Sequence, residues 1–160
     1  SVMTDFTRIM PVTVEANVNL HTALGIMKAH GIRLLLVTGN QGEVVGVLTA
    51  YDIQSEKPIQ YGSENDIPVS KIQTGMIMTP LGQTPAFDFN AVEKALVRHV
   101  IDTMKELERP HTLVIQSNGD QRIRGVFSTS QISKQLGRPV YQPLHAAHSF
   151  ADIQHEISNH

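Results

Sequence analysis

Residues 43–53 read Glu-Val-Val-Gly-Val-Leu-Thr-Ala-Tyr-Asp-Ile, and residues 122–132 read Arg-Ile-Arg-Gly-Val-Phe-Ser-Thr-Ser-Gln-Ile. Each is a β-rich run through a single glycine (Gly46, Gly125), then a hydroxyl residue (Thr49, Ser128), then the start of a helix. The glycines lie 125 − 46 = 79 positions apart in a chain of 160 residues. That leaves room for two copies of one unit and little else, so the function is expected at or between the copies.

Working outward from the first copy, Val12-Thr13-Val14 predicts a short strand. Asn19 can cap a helix whose apolar residues Leu20, Ala23, Leu24 and Met27 fall at helical spacing, and Gly31 ends it. Ile32 to Val37 is an apolar strand interrupted by Arg33. Thr38-Gly39-Asn40-Gln41-Gly42 is a hairpin turn, Glu43 to Thr49 returns, and a helix starts near Ala50. Ser55 to Pro68, with Pro, Gly, Ser and charge, reads as a linker.

The second copy opens with Ile77-Met78-Thr79-Pro80, paired in sequence with Ile9-Met10-Pro11. Asn90-Ala91-Val92-Glu93 has the form of a capping box, ahead of a helix with Val92, Leu96, Val100, Met104 and Leu107 on one face. Thr112 to Ile115 is a strand, Ser117 to Asp120 a turn, and Arg122 to Ser128 the returning strand. The order β-α-β-β-α thus occurs twice. The Ile-Met openings are only 78 − 10 = 68 apart, so the second copy is expected to carry roughly ten extra residues before its central strand. Beyond Gly137-Arg138-Pro139, Ser149-Phe150-Ala151-Asp152 caps a last short helix with Phe150, Ile153 and Ile157 on one face. The expected domains are 1–64 (first repeat with linker), 65–142 (second repeat) and 143–160 (helical tail).

A hydrophobic content of 41% supports a buried core. The net charge of −2 gives no basic field for nucleic acid or an acidic membrane. No cysteine is present, which excludes disulfides and thiolate chemistry. No apolar run approaches the ~18 residues of a membrane span, and no basic-then-apolar leader is visible. A soluble, cytoplasmic α/β (α+β) protein is expected.

Ile77-Met78-Thr79-Pro80, Gly31-Ile32-Arg33-Leu34-Leu35-Leu36-Val37 and Gly46-Val47-Leu48-Thr49-Ala50-Tyr51-Asp52-Ile53 together resemble a tandem pair of CBS domains (the cystathionine-β-synthase-type, or Bateman, module). The resemblance runs from about Phe6 to Leu136. It implies two repeats packed as a pseudo-twofold pair. It also implies a regulatory rather than catalytic role, as a homodimer. Its ligands would be adenosine-containing (AMP, ADP, ATP, S-adenosylmethionine, sometimes NAD), bound in the cleft between repeats. No covalent cofactor is implied.

The chemistry of Thr49-x-x-Asp52 suits such a ligand. A hydroxyl at a strand-to-helix junction can hydrogen-bond a phosphate oxygen, and a carboxylate one turn on can accept both hydroxyls of a ribose. The resemblance gives Thr49 and Asp52 those ribose-phosphate roles and Arg33 a phosphate-facing charge. Val12, Val47 and Ile53 can sandwich a base, and Tyr51 joins the candidate set. The same Thr-x-x-Asp pattern also makes a helix cap with no ligand at all.

In the second copy, Ser128 and Gln131 form a capping box, and Gln131 stands where the family has Asp. An amide accepts less strongly than a carboxylate, so a weaker site at Ser128, Gln131 and His111 is expected. His111 matches Arg33 if the second hairpin is one residue longer. The family's next position, often Arg, is then Leu34 in one copy and Thr112 in the other. Arg122 and Arg124 read as solvated residues on one face of a strand. Lys134 and Arg138 add further charge.

Of eight histidines, four lie in the tail (His145, His148, His155, His160). No Glu or Asp completes a His-Glu-x-x-His site, so exposed tail residues explain them better than a metal centre. No Gly-x-Ser-x-Gly elbow supports a hydrolase. Two readings remain. One is a nucleotide-sensing regulatory module that signals to a separate effector protein, without nucleic acid or membrane as partner. The alternative is a ligand-free structural or protein-interaction CBS module.

Overall fold

The computed structural model describes residues 3–94, 97–107, 111–118 and 120–128. Their elements run β1 (Thr4–Asp5), β2 (Thr13–Glu15), α1 (Leu20–His30), β3 (Leu34–Thr38), β4 (Val44–Thr49), α2 (Ala50–Gln54), α3 (Lys57–Asn65), α4 (Thr74–Ile77) and β5 (Thr79–Pro80). There follow β6 (Ala86–Asp88), α5 (Phe89–Lys94), α6 (Val97–Leu107), β7 (His111–Asn118) and β8 (Asp120–Ser128). Two four-stranded sheets result, ordered β2-β3-β4-β5 and β6-β7-β8-β1. In each, the first pair is parallel and the next two are antiparallel.

The chain divides into two compact units, Pro11–Leu81 and Ser1–Met10 together with the chain from Gly82 onward. These are not the sequence repeats 1–64 and 65–142. The short strand leading into each repeat completes the sheet of the other repeat: β5 pairs with β4, and β1 with β8. The glycines of the decisive stretch mark where these strands cross. A Cβ on Gly46 would sit 2.7 Å from both the Met78 sulfur and the Thr79 carbonyl oxygen, and one on Gly125 would collide with Thr4 O and Met3. Met3-Thr4 is therefore the structural counterpart of Met78-Thr79. Ile9-Met10 is not that counterpart; Met10 is 86% exposed. From methionine to glycine the copies span 46 − 3 = 43 and 125 − 78 = 47 positions, so the second copy is longer by four residues rather than ten.

The Pro11–Leu81 unit follows its local signals. Asn19 accepts from the His21 N–H at 2.9 Å and caps α1; Gly31 closes it in the left-handed region (φ 64°). Leu20, Ala23 and Met27 bury one face of α1 against Val14, Leu35, Val37 and Leu48 from the sheet, with Ile72 and Ile77 completing the core. The stretch read as a linker is instead largely helix α3. Pro58 sits in its first turn, where a missing N–H costs nothing, and Gly62 lies against the Ile67 carbonyl. Pro and Gly there serve helix start and close packing.

In the other unit, Phe87, Val100, Ile101, Met104, Val114 and Phe127 form the core, with the Phe87 and Phe127 rings edge to face at 5.6 Å. Asn90 lies one residue inside α5. The strand predicted over Thr112 to Ile115 is longer, as β7. The helices expected after Ser128 and in the tail, with residues 143–160, lie outside the described residues. No helix among the described residues is long and apolar enough to cross a membrane.

Candidate functional site

The parallel β2-β3 pair and the returning β4 bring the first set of site residues to one end of their sheet. The Leu36 N–H donates to the Val12 carbonyl at 3.3 Å, and the Ala50 N–H to the Arg33 carbonyl at 2.9 Å. Leu34 lies opposite Thr49. Val12, half-buried, and Arg33, exposed, thus flank the junction where Thr49 hands over to α2. Among the described residues nothing pairs with the Arg33 guanidinium. Tyr51 projects into solvent from the first turn of α2.

Thr49 and Asp52 form a reciprocal capping box. The Thr49 hydroxyl accepts from the Asp52 N–H at 3.2 Å, while Asp52 Oδ2 accepts from the Thr49 N–H at 3.2 Å and its hydroxyl at 2.9 Å. α2 has only five residues, so its amides add little field for an anion. Asp52 is 3% exposed, and its other oxygen, Oδ1, accepts from Lys57 Nζ at 3.1 Å. Ser55 bridges the two helices: its hydroxyl donates to the Asp52 carbonyl at 2.8 Å and accepts from the Lys57 N–H at 3.2 Å. Lys57 was missed in the sequence because it falls in the stretch read as a linker. Its position five residues after Asp52, at a helix start, was the available signal.

The second set is placed differently. Ser128 ends β8 opposite His111, as Thr49 ends β4 opposite Leu34. His111 therefore takes the place of Leu34 and not of Arg33. The cause is hairpin length: Thr38 pairs with Val44 and Ile115 with Ile123, separations of 44 − 38 = 6 and 123 − 115 = 8, two residues longer rather than one. Gln131, Lys134 and Arg138 lie outside the described residues.

Arg124 is not a free surface cation. Both hairpins carry a bulge just before the glycine, at Val45 and at Arg124, since Val37 faces Gly46 while Thr38 faces Val44, and Val114 faces Gly125 while Ile115 faces Ile123. The bulge takes Arg124 out of the simple alternation with Arg122. Its guanidinium lies 4.2 Å from the Phe89 ring centre, donates to Gln116 Oε1 at 3.2 Å and approaches Asp5 Oδ1 at 3.9 Å. Arg122 is exposed, as expected.

No group of three His, Asp or Glu side chains able to hold a metal occurs among the described residues; the tail histidines lie outside them. A cavity of about 320 Å³ lined by Glu15, Asn17, Thr38, Asn40, Gln73 and Met76 opens at the far ends of β2 and β3 and includes none of the candidate residues.

Residues 2–57 match the model of the CBS domain family. No curated protein matches the sequence. Among solved structures, a CBS-domain containing protein from Agrobacterium tumefaciens is 21% identical, with a TM-score of 0.58 over 81% of this chain and 87% of its own. Another CBS domain structure is 23% identical, with a TM-score of 0.60 over 79% and 87%. A CBS domain pair in complex with methylthioadenosine and S-adenosyl-L-methionine is 23% identical, with a TM-score of 0.57 over 85% and 96%. These similarities establish the fold.

Proposed function

We propose that this chain, a tandem pair of CBS domains, is a regulatory module that binds an adenosine-containing ligand at the Thr49–Asp52 end of its first sheet. The observation that carries the reading is the convergence there of a hydroxyl, a carboxylate and an unpaired guanidinium beside half-buried Val12. Asp52 would take the ribose hydroxyls. Thr49 and Arg33 would take a phosphate or carboxylate, and Val12 with Tyr51 the base. The solved pair with methylthioadenosine and S-adenosyl-L-methionine supports adenosine as the ligand class; AMP, ADP, ATP and S-adenosylmethionine are the candidates. The module would catalyse nothing and, as a homodimer, would signal to a separate effector by shifting a conformational equilibrium. The Ser128–His111 end would be weaker, since the sequence has Gln131 where the family has Asp.

One observation favours the ligand-free interaction module instead. Asp52 is buried, and both its oxygens are engaged within the chain. A thermal-shift panel with AMP, ADP, ATP, methylthioadenosine, S-adenosylmethionine and NAD separates the two. A ligand at about 100 times its Kd stabilises by ~2.7 kcal/mol, a rise of about 5–10 °C for a protein of this size. A rise with one ligand that Asp52→Asn abolishes establishes the sensor. No rise with any of them leaves the interaction module.

A further inference from the structure

We infer that Lys57 limits the affinity of this site for its ligand, because its ammonium holds the carboxylate oxygen that a ribose diol would need. The inference rests on the ligand reading above and adds to it that binding is an exchange, in which the ligand displaces a cation of the chain itself.

A carboxylate offers about four acceptor positions. Three are taken on Asp52: two on Oδ2 by the Thr49 N–H and hydroxyl, and one on Oδ1 by Lys57 Nζ at 3.1 Å. A diol donates twice, so one internal donor has to leave. The Thr49 donors belong to the strand end and the cap, and releasing them unwinds the start of α2. Lys57 belongs to neither. Its side chain is 48% exposed on a flexible four-carbon stem, whereas that of Asp52 is 4% exposed. Moving Lys57 therefore frees the acceptor and leaves the backbone as it is. The ammonium keeps about half of its side chain in water, so it can leave the buried carboxylate without being desolvated further and a ligand can win the competition, but at a cost in affinity that every diol shares.

The experiment titrates adenosine and methylthioadenosine, two neutral diols, and AMP calorimetrically into the full chain and into Lys57→Met and Lys57→Arg, with circular-dichroism melts to establish that each variant folds. Lys57→Met should bind the neutral diols about two- to fivefold tighter, while Lys57→Arg keeps the wild-type affinity. A second readout needs no variant to fold. Raising salt from about 50 to about 500 mM screens the ion pair and should tighten neutral-diol binding to the wild-type chain. Unchanged or weaker neutral-diol binding in Lys57→Met, together with no gain in salt, overturns the role of Lys57 and leaves the ligand reading standing. No binding of any of the three to the wild type or to Lys57→Met, together with no rise in the thermal-shift panel, overturns the ligand reading itself.

Discussion

The Pro11–Leu81 unit and its counterpart are built on one plan down to its irregularities. Both have a parallel pair followed by an antiparallel hairpin, a bulge one residue before a glycine, and a methionine-led strand crossing that glycine. They differ in what fills the plan. The bulge residue is Val45 in one, packed on the core, and Arg124 in the other, held over Phe89. Leu35 is fully buried in one, and the equivalent Thr112 is buried in the other with a hydroxyl that finds no partner among the described residues. The glycine and the crossing strand are fixed by backbone sterics and are kept. The bulge side chain answers only to its immediate surroundings and has diverged.

The largest test of that shared plan is where the chain can be cut. A fragment 11–81 keeps α4 and β5, whereas 1–64 loses them along with Ile72 and Ile77 from the core. Circular-dichroism melting should show a cooperative transition for 11–81 and none for 1–64. If 1–64 melts cooperatively, the exchange of lead-in strands is not what completes the sheets.

Substituting the crossing glycines comes next. Gly46→Ala and Gly125→Ala should each cost about 1–3 kcal/mol in urea denaturation, since the added Cβ meets a backbone carbonyl that cannot turn aside. Gly125→Ala should be the worse of the two, because its crossing is closer. If neither substitution costs stability, the close crossing argued from the strands is wrong.

The core positions should respond with opposite sign. Thr112→Val removes a buried hydroxyl without a partner and should stabilise by about 1 kcal/mol, whereas Leu35→Thr should destabilise by about 2 kcal/mol or more. The same denaturation series reads both. Arg124→Ala, which removes the contact with Phe89 and the bond to Gln116, should cost about 1 kcal/mol. Val45→Ala, an ordinary apolar truncation at a half-buried position, should cost a similar amount with no dependence on salt.

The smallest effect lies with Asp5. The Thr7 hydroxyl and N–H, with Arg124 and Arg8 nearby, hold its carboxyl below the usual carboxylate range. A depressed carboxylate contributes stability above its unfolded pKa and loses it as pH falls through the lowered folded value. The wild-type chain should therefore shed this contribution below about pH 4, and Asp5→Asn should flatten that part of the pH–stability curve.

Much of this was legible in the sequence because its causes are local. The caps at Asn19 and Thr49, the stop at Gly31 and the strand-turn-strand at Ile32 to Thr49 each depend on residues within a turn or a hairpin. The glycine pair and its period announced two units, and the candidate residues Val12, Arg33, Thr49, Tyr51 and Asp52 do gather at one sheet end. The tertiary structure alone decided which strand joins which sheet, because Met3-Thr4 and Ile9-Met10 look equally like Met78-Thr79 until long-range hydrogen bonds choose. It also decided that His111 matches Leu34, since hairpin length sets register and a shift of one residue changes the end of the strand. And it placed Lys57 on Asp52, since an ion pair formed across the turn between two helices leaves no periodic mark in a sequence.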